Sequence, residues 1–279
     1  MPAETTTAKP AFPLRLIDWY WAIWSDVFGL VGAWAALLHQ VSVWMVRSLV
    51  QRRARFGAQA LAEQVVRVGT RSIGIVLLVS GCIGVILALQ TAPSLSDFGQ
   101  TDKVANLVGV AVTRELGPLI AAIVLTGFAG ASIAAELGTM KVGEEIEALE
   151  AMALNPIRFL VVPRVIATAV SLVVLSVFAD ICSIVMGGPI GITVLDIPYE
   201  TYKLNTINQL RPVDFNTGLI KAAVFGTLLG LIACSNGLRV TGGAAGVGRA
   251  TTNTVVQSTV AIVICDLLFS SLFYSLGLN

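Results

Sequence analysis

This chain is short of charge. Only 13% of its 279 residues are charged and 56% are hydrophobic, against about 25% charged in an ordinary soluble domain; with a mean hydropathy of +0.83, the solvent for most of the chain is lipid. A net charge of +1 with no concentrated basic face excludes nucleic acid as a partner. The single histidine, His39, and four cysteines, Cys82, Cys182, Cys234 and Cys265, lie far apart in apolar runs without a C-x-x-C pair, which argues against a zinc site or a disulfide framework. No G-x-x-x-x-G-K-[ST] phosphate loop occurs, so P-loop ATP hydrolysis on this chain is excluded. The glycine-rich stretch Gly242–Thr251 lacks the lysine and preceding strand of a phosphate cradle and is expected to be a tight cytoplasmic turn. No catalytic residue, metal or cofactor is implied. Residues 1–13 are polar and Thr-rich, lack the basic-then-apolar pattern of a signal peptide, and read as a cytoplasmic tail.

Long apolar runs are what the chain does have. A spanning helix needs about 20 mostly apolar residues. Ser72–Leu89 and Leu116–Ala135 are free of charge, and Ala222–Leu238 is free of charge beyond Lys221. Val165–Leu195 and Ala250–Leu278 are long enough to cross but carry one acid each, Asp180 and Asp266. Basic residues gather before the first span (Arg47, Arg52, Arg53, Arg55, Arg67, Arg71), between the second and third (Lys141, Arg158, Arg164) and between the fourth and fifth (Arg239, Arg249). The positive-inside rule puts those segments in the cytoplasm, with the N-terminus inside and the C-terminus outside. Val27–Val46 is uncharged and long enough to span, yet all five tryptophans (Trp19, Trp21, Trp24, Trp34, Trp44) cluster in or beside it. Tryptophan prefers the headgroup level, which favours a helix lying in the cytoplasmic interface over a sixth span. The expected fold is therefore all-α and integral to the membrane: residues 1–70 a tail and interfacial amphipathic region, residues 71–279 a membrane domain of five transmembrane helices.

Between spans two and three, Glu144–Leu154 is rich in helix formers and stops at Asn155-Pro156. Ile146, Leu149 and Met152 form a narrow apolar stripe, while Glu144, Glu145, Glu147 and Glu150 crowd the rest. A helix resting on an anionic leaflet is normally basic, so four glutamates favour docking into a groove on another protein over a surface connector. Arg114 and Glu115 precede the second span. A charge in the bilayer is costly, so the pair either lines a polar cavity, where Arg114 would grip a phosphate in two-pronged fashion, or forms an ordinary ion pair. Leu77, Val85, Leu87, Leu89 and Gln90 on the first span could line an acyl path or simply pack. Asp180 and Asp266 are expected to find backbone or serine partners, with Ser183 and Ser270 one turn away; a relay of these acids with Glu115 is the alternative. Gly81 with Gly84, and Gly226 with Gly230, offer small faces for close helix contact.

Arg114-Glu-Leu-Gly-Pro118, the run Ala134–Met152, Asn155-Pro156 leading to Val162-Pro163-Arg164, and Gly242–Thr251 followed by Thr254-Val255-Val256 resemble, in fixed order, the MlaE/YrbE permeases. These are the membrane subunits of MCE-associated lipid ABC transporters, and the resemblance runs from about Ile73 to the C-terminus. It implies a homodimer with one interfacial helix and five spans per chain in the inner (cytoplasmic) membrane, a phospholipid cavity at the dimer interface, and coupling helices gripped by a P-loop ATPase subunit. It also implies an MCE-domain substrate-binding protein on the outer side and, in some systems, a STAS-domain protein on the ATPase. The acidic helix falls at the coupling position; Arg114, Glu115, Leu77, Val85, Leu89 and Gln90 are the candidates for contact with lipid, against the alternatives of ion pairing and simple packing given above. One departure is Phe128, where many relatives carry arginine. The rival classes are an ion-coupled secondary transporter, which would work without an ATPase, and a non-transporting membrane scaffold.

Overall fold

The computed structural model describes residues 12–50, 58–100, 103–194 and 196–277. The expected tail up to residue 11, Arg52, Arg53, Arg55, Asp102 and the ends of two expected spans at Leu195 and Leu278 lie outside these, and the side chain of Trp19 is likewise not described. Every element among the described residues is helical. In chain order they are α1 (Phe12–Val50), α2 (Ala58–Gly69), α3 (Ile73–Asp97), α4 (Val104–Ala111), α5 (Gly117–Leu125), α6 (Ala131–Val142), α7 (Glu145–Ala151), α8 (Val162–Thr193), α9 (Tyr199–Gln209), α10 (Pro212–Leu238) and α11 (Gly243–Ser275).

Several of these join end to end. A three-residue 3-10 turn, Thr70–Ser72, links α2 to α3, and wider π turns at Val112–Leu116 and Thr126–Gly130 link α4, α5 and α6 into one rod. A third π turn, Ile157–Val161, leads into α8. Six rods result that are long and apolar enough to cross a membrane: Phe28–Arg47, Gln59–Asp97, Val104–Val142, Ile157–Thr193, Pro212–Leu238 and Gly243–Ser275. The five expected spans are among them and all are longer than their uncharged cores, because helix continues where charges begin. Residue 70 falls inside a continuous rod. The Val27–Val46 stretch forms part of one 39-residue helix, and length and composition admit it as a sixth span.

At the centre α8 and α10 pack against each other, with α3 and α2 on α8, and α6 and α11 on α10. Glycine makes these crossings close. A Cβ on Gly84 would lie 2.0 Å from the Ser183 carbonyl oxygen, and Cβ atoms on Gly226 and Gly230 would meet the α8 backbone at 2.7 Å (Ala169 Cα) and 2.9 Å (Val165 Cα). The small faces anticipated from sequence are thus contact faces between α3 and α8 and between α10 and α8. Around them Val76, Leu125, Leu172, Leu175, Phe225 and Leu229 close the core. Helix α1 touches this core through Leu37 and Val41, and its Trp44 ring stacks under the guanidinium groups of both Arg47 and Arg158, each 5.5 Å from the ring centroid. That pairing ties the end of α1 to the π turn that leads into α8.

Two loop expectations are corrected. The glycine-rich stretch is a turn only at its start: Gly242 and Gly243 take φ of +83° and +67°, and the helix then runs from Gly243. Its Gly246 has no Cβ to meet the Thr241 carbonyl oxygen, which would otherwise approach to 2.0 Å. The acidic helix is shorter than Glu144–Leu154, since Glu144 (φ 56°) and Ala153 (φ 59°) adopt left-handed conformations at its two ends and leave Glu145–Ala151 as helix.

A pair of glycine substitutions separates contact from mere flexibility. Gly84→Val should prevent stable folding, whereas Gly74→Ala, which meets open space, should raise stability by about 0.5–1 kcal/mol by lowering chain entropy. Thermal unfolding in detergent reads both.

Candidate functional site

The most buried cation in the described chain lies inside the bundle. Lys221, in the third turn of α10, is fully inaccessible, and its ammonium donates to Glu115 Oε2 at 2.6 Å, Asp266 Oδ1 at 2.9 Å and Ser270 Oγ at 3.0 Å. The Ser270 hydroxyl in turn donates to Glu115 Oε1 at 2.8 Å. All three ammonium hydrogens and both Glu115 oxygens are therefore used, the condition under which a charge is tolerated away from water. Three rods meet here: the α4–α6 rod through Glu115, α10 through Lys221, and α11 through Asp266 and Ser270. The cluster is sealed on the lysine side but open at the acid, whose side chain is 41% exposed while that of Lys221 is 1% exposed.

The π turn Val112–Leu116 explains how Glu115 arrives. A π turn inserts an extra residue and rotates the helix beyond it, and here it is clasped between two helices by missing side chains. A Cβ on Gly218 of α10 would lie 2.2 Å from the Thr113 carbonyl oxygen, and one on Gly117 would lie 1.7 Å from Asp180 Oδ1 on α8. Arg114, the neighbour of Glu115, points to a different partner: its Nη1 lies 3.5 Å from Asp214 Oδ1, and Asp214 also accepts the Arg211 backbone N–H at 3.1 Å at the start of α10. Arg114 and Glu115 thus each hold α10, one at its first turn and one at its third.

The sequence-derived acids separate in the structure. Asp266 pairs with Lys221, a partner the sequence did not suggest, and Ser270 bridges the same cluster. Asp180 joins neither: it is 5% exposed, its Oδ1 has no hydrogen-bond partner, and the Ser183 hydroxyl expected to serve it instead donates to the Ser80 carbonyl at 2.7 Å. On α3, Leu77 and Val85 are half-buried while Leu89 and Gln90 are exposed, on a helix that packs against α4 and α5. Among the described residues no group of three or more His, Cys, Asp or Glu could hold a metal ion.

A second polar centre lies toward the other end of the α4–α6 rod. Glu136 accepts from Arg67 Nη1 at 2.7 Å and from the buried Arg164 Nη2 at 2.9 Å, joining α2, α6 and α8. Just beyond it comes α7. Its Ile146 is buried against the chain's own bundle, Leu149 is half-buried and Met152 is exposed. Glu144, Glu145, Glu147 and Glu150 are all exposed; Lys141 pairs with Glu147, and that hydrogen bond holds the Glu147 carboxyl below its usual range. Asn155 terminates the loop by accepting the Ile157 and Arg158 backbone N–H groups at 3.0 and 3.3 Å. The stripe therefore divides its work: Ile146 roots the helix, and the acids with Met152 face outward.

A family model described as Permease MlaE matches residues 61–272. The chain belongs to the MlaE permease family. It is 39% identical over 214 residues to a probable ABC transporter permease protein of Rickettsia prowazekii, covering 77% of this chain and 83% of that protein. A probable ABC transporter permease protein of Synechocystis is 34% identical over 251 residues, 85% of this chain and 94% of its own length. The chloroplast protein trigalactosyldiacylglycerol 1 of Arabidopsis thaliana is 35% identical over 212 residues, 76% of this chain and 61% of its own. The multi-pass chain is thus the permease of an ABC transporter, a class that works with an ATPase. Both polar centres and α7 fall within the matched region.

Two substitutions probe the site. Lys221→Met should destabilise by leaving the largely buried Asp266 carboxylate and the half-open Glu115 without their cation, and adding Glu115→Gln with Asp266→Asn should recover much of the loss; unfolding midpoints of the single and triple variants give the comparison. Gly117→Ala should destabilise because its methyl collides with Asp180, and Asp180→Ala should relieve it, so the double-mutant cycle should show strong favourable coupling. Additive effects would mean the contact does not shape the π turn.

Proposed function

We propose that this MlaE permease moves phospholipid between membranes, using ATP hydrolysed on a separate P-loop subunit. The observation that carries the reading is the cluster around Lys221, polar and most open at Glu115, set on a rod that packs against the half-exposed apolar surface of α3. An amphipathic cargo matches that pairing: its head would meet Arg114 and Glu115, its chains Leu77, Val85, Leu89 and Gln90. The name of the chloroplast relative, which is that of a glycolipid, agrees with a lipid cargo.

In this reading two chains face each other across the cavity in the inner membrane, with α1 in the cytoplasmic interface, the N-terminus inside and the C-terminus outside. An MCE-domain protein receives or delivers lipid on the far side, and a STAS-domain protein attaches to the ATPase in some assemblies. The exposed face of α7, with Glu144, Glu145, Glu150 and Met152, sits in an ATPase groove. Closure of the ATPases pushes α7, Ile146 passes the push to the bundle, and the α4–α6 rod carries it past Glu136 toward Glu115. The cavity narrows and lipid affinity falls. Glu115 and Asp266 belong to one lysine-centred cluster rather than to separate relay stations, which weighs against the ion-coupled alternative.

The test is reconstitution of the purified complex in vesicles with labelled phospholipid. Transfer should require ATP, and Glu145→Lys with Glu150→Lys should abolish both transfer and co-purification of the ATPase while the permease remains monodisperse. Transfer without ATPase would overturn the reading in favour of ion coupling, and no lipid transfer by the intact complex with ATP would remove the lipid assignment.

A further inference from the structure

At the end of the bundle opposite α7, the last turns of α8 and the short helix α9 enclose a groove of about 360 Å³. We propose that this groove binds one anionic phospholipid, with an acyl chain laid along α8 and the phosphate on Lys203. The site is separate from the cluster around Lys221 and does not depend on which cargo the permease moves.

The groove arises from the sequence of the two helices. On the α8 side Gly188 and Pro189 remove bulk, so the wall between Val185 and Ile192 is a shallow trough. Helix α9 crosses over it, held by the Tyr202 ring, which packs where side chains are missing on α8: a Cβ on Gly191 would lie 2.9 Å from that ring. The outer lip is Tyr199 and Ile207, each 60% exposed, with Val185 at 62% below them. Nothing among the described residues covers this set of large apolar side chains.

Depth and charge select the occupant. The 32 residues of α8 reach about 48 Å at 1.5 Å per residue, longer than the hydrocarbon core of about 30 Å, so the trough runs from the end of the core to headgroup level. Among the described residues Lys203 is the one charged side chain lining the groove, and no ion pair engages it. An apolar trough in the membrane capped by one unpaired ammonium at headgroup level complements a molecule with a hydrocarbon chain and a phosphate. A membrane helix of a partner would match the trough but leave the lysine without its counter-charge.

The test places a photo-crosslinking benzoylphenylalanine at Ile207 of the full-length chain, with a control at the exposed Val263 of α11. In cell membranes the Ile207 probe should yield a lipid adduct; a protein adduct there would overturn the proposal in favour of a docking surface. In bilayers of phosphatidylcholine with a minority of phosphatidylglycerol, the Ile207 adduct should be enriched in phosphatidylglycerol by about fivefold, equivalent to about 1 kcal/mol. Lys203→Glu should erase the enrichment, and the Val263 adduct should show none in either chain. Gly188→Val, whose added Cβ meets only ordinary contact with Tyr202 at 3.5 Å, should reduce adducts of both lipids at Ile207. Equal labelling of the two headgroups at Ile207, or enrichment that survives Lys203→Glu, would show ordinary annular lipid and overturn the site.

Discussion

One buried ammonium constrains this membrane domain more than any other group. Isolated in hydrocarbon, Lys221 would not remain charged and folded, so two carboxylates and a hydroxyl must come to it from two other rods. Each delivery imposes a further condition. Glu115 reaches it from a π turn, the π turn needs close approach of α8 and α10, and close approach needs Gly117 and Gly218. Asp266 and Ser270, one turn apart, fix the rotation of α11, a helix with little buried surface of its own. An otherwise slippery apolar contact between α10 and α11 thereby gains a single register.

The α4–α6 rod holds both polar centres, and through them it is tied to three neighbouring helices. Glu115 and Glu136 are separated by 21 positions on it, about 30 Å along a helix. At one end Glu136 gathers Arg67 and Arg164 from α2 and α8; at the other Glu115 gathers Lys221 from α10. Between them the second π turn, Thr126–Gly130, leaves the rod a point where the wider winding departs from regular helix. In the proposed cycle, a push at α7, which follows this rod directly and is rooted by Ile146, would meet ion pairs to three neighbours instead of a greasy surface along which it could slide.

The sequence displayed the rods but not their pairing. Runs of apolar residues about 20 long located five spans because burial in lipid leaves a local signature that no tertiary contact has to supply. The Lys221 cluster has no such signature: its members are separated by 106, 45 and 155 positions, and Lys221 sat at the margin of an apolar run, where it read as a helix boundary. The available clue was Asp266, an acid within a span that needed a counter-charge, since Lys221 stood in another rod at comparable depth. Asp180 failed the opposite way. Its local serine was the natural partner by spacing, but Ser183 is claimed by the α3 backbone because Gly84 brings that backbone so near.

Phe128 is the position at which the sequence departs from the pattern expected from the resemblance. It lies in the second π turn and is partly exposed, bordering a small cleft that also contains Arg67, Arg71 and Glu136. The cationic groups in that cleft come from α2 and the turn after it, continuous with the first rod, rather than from the π turn itself. Glu136 therefore keeps two arginine partners without one at position 128, and the electrostatic balance of this centre depends on how α2 lies against α8. Helix α2, which precedes the first uncharged run, thus supplies a charge to a polar centre of the membrane bundle.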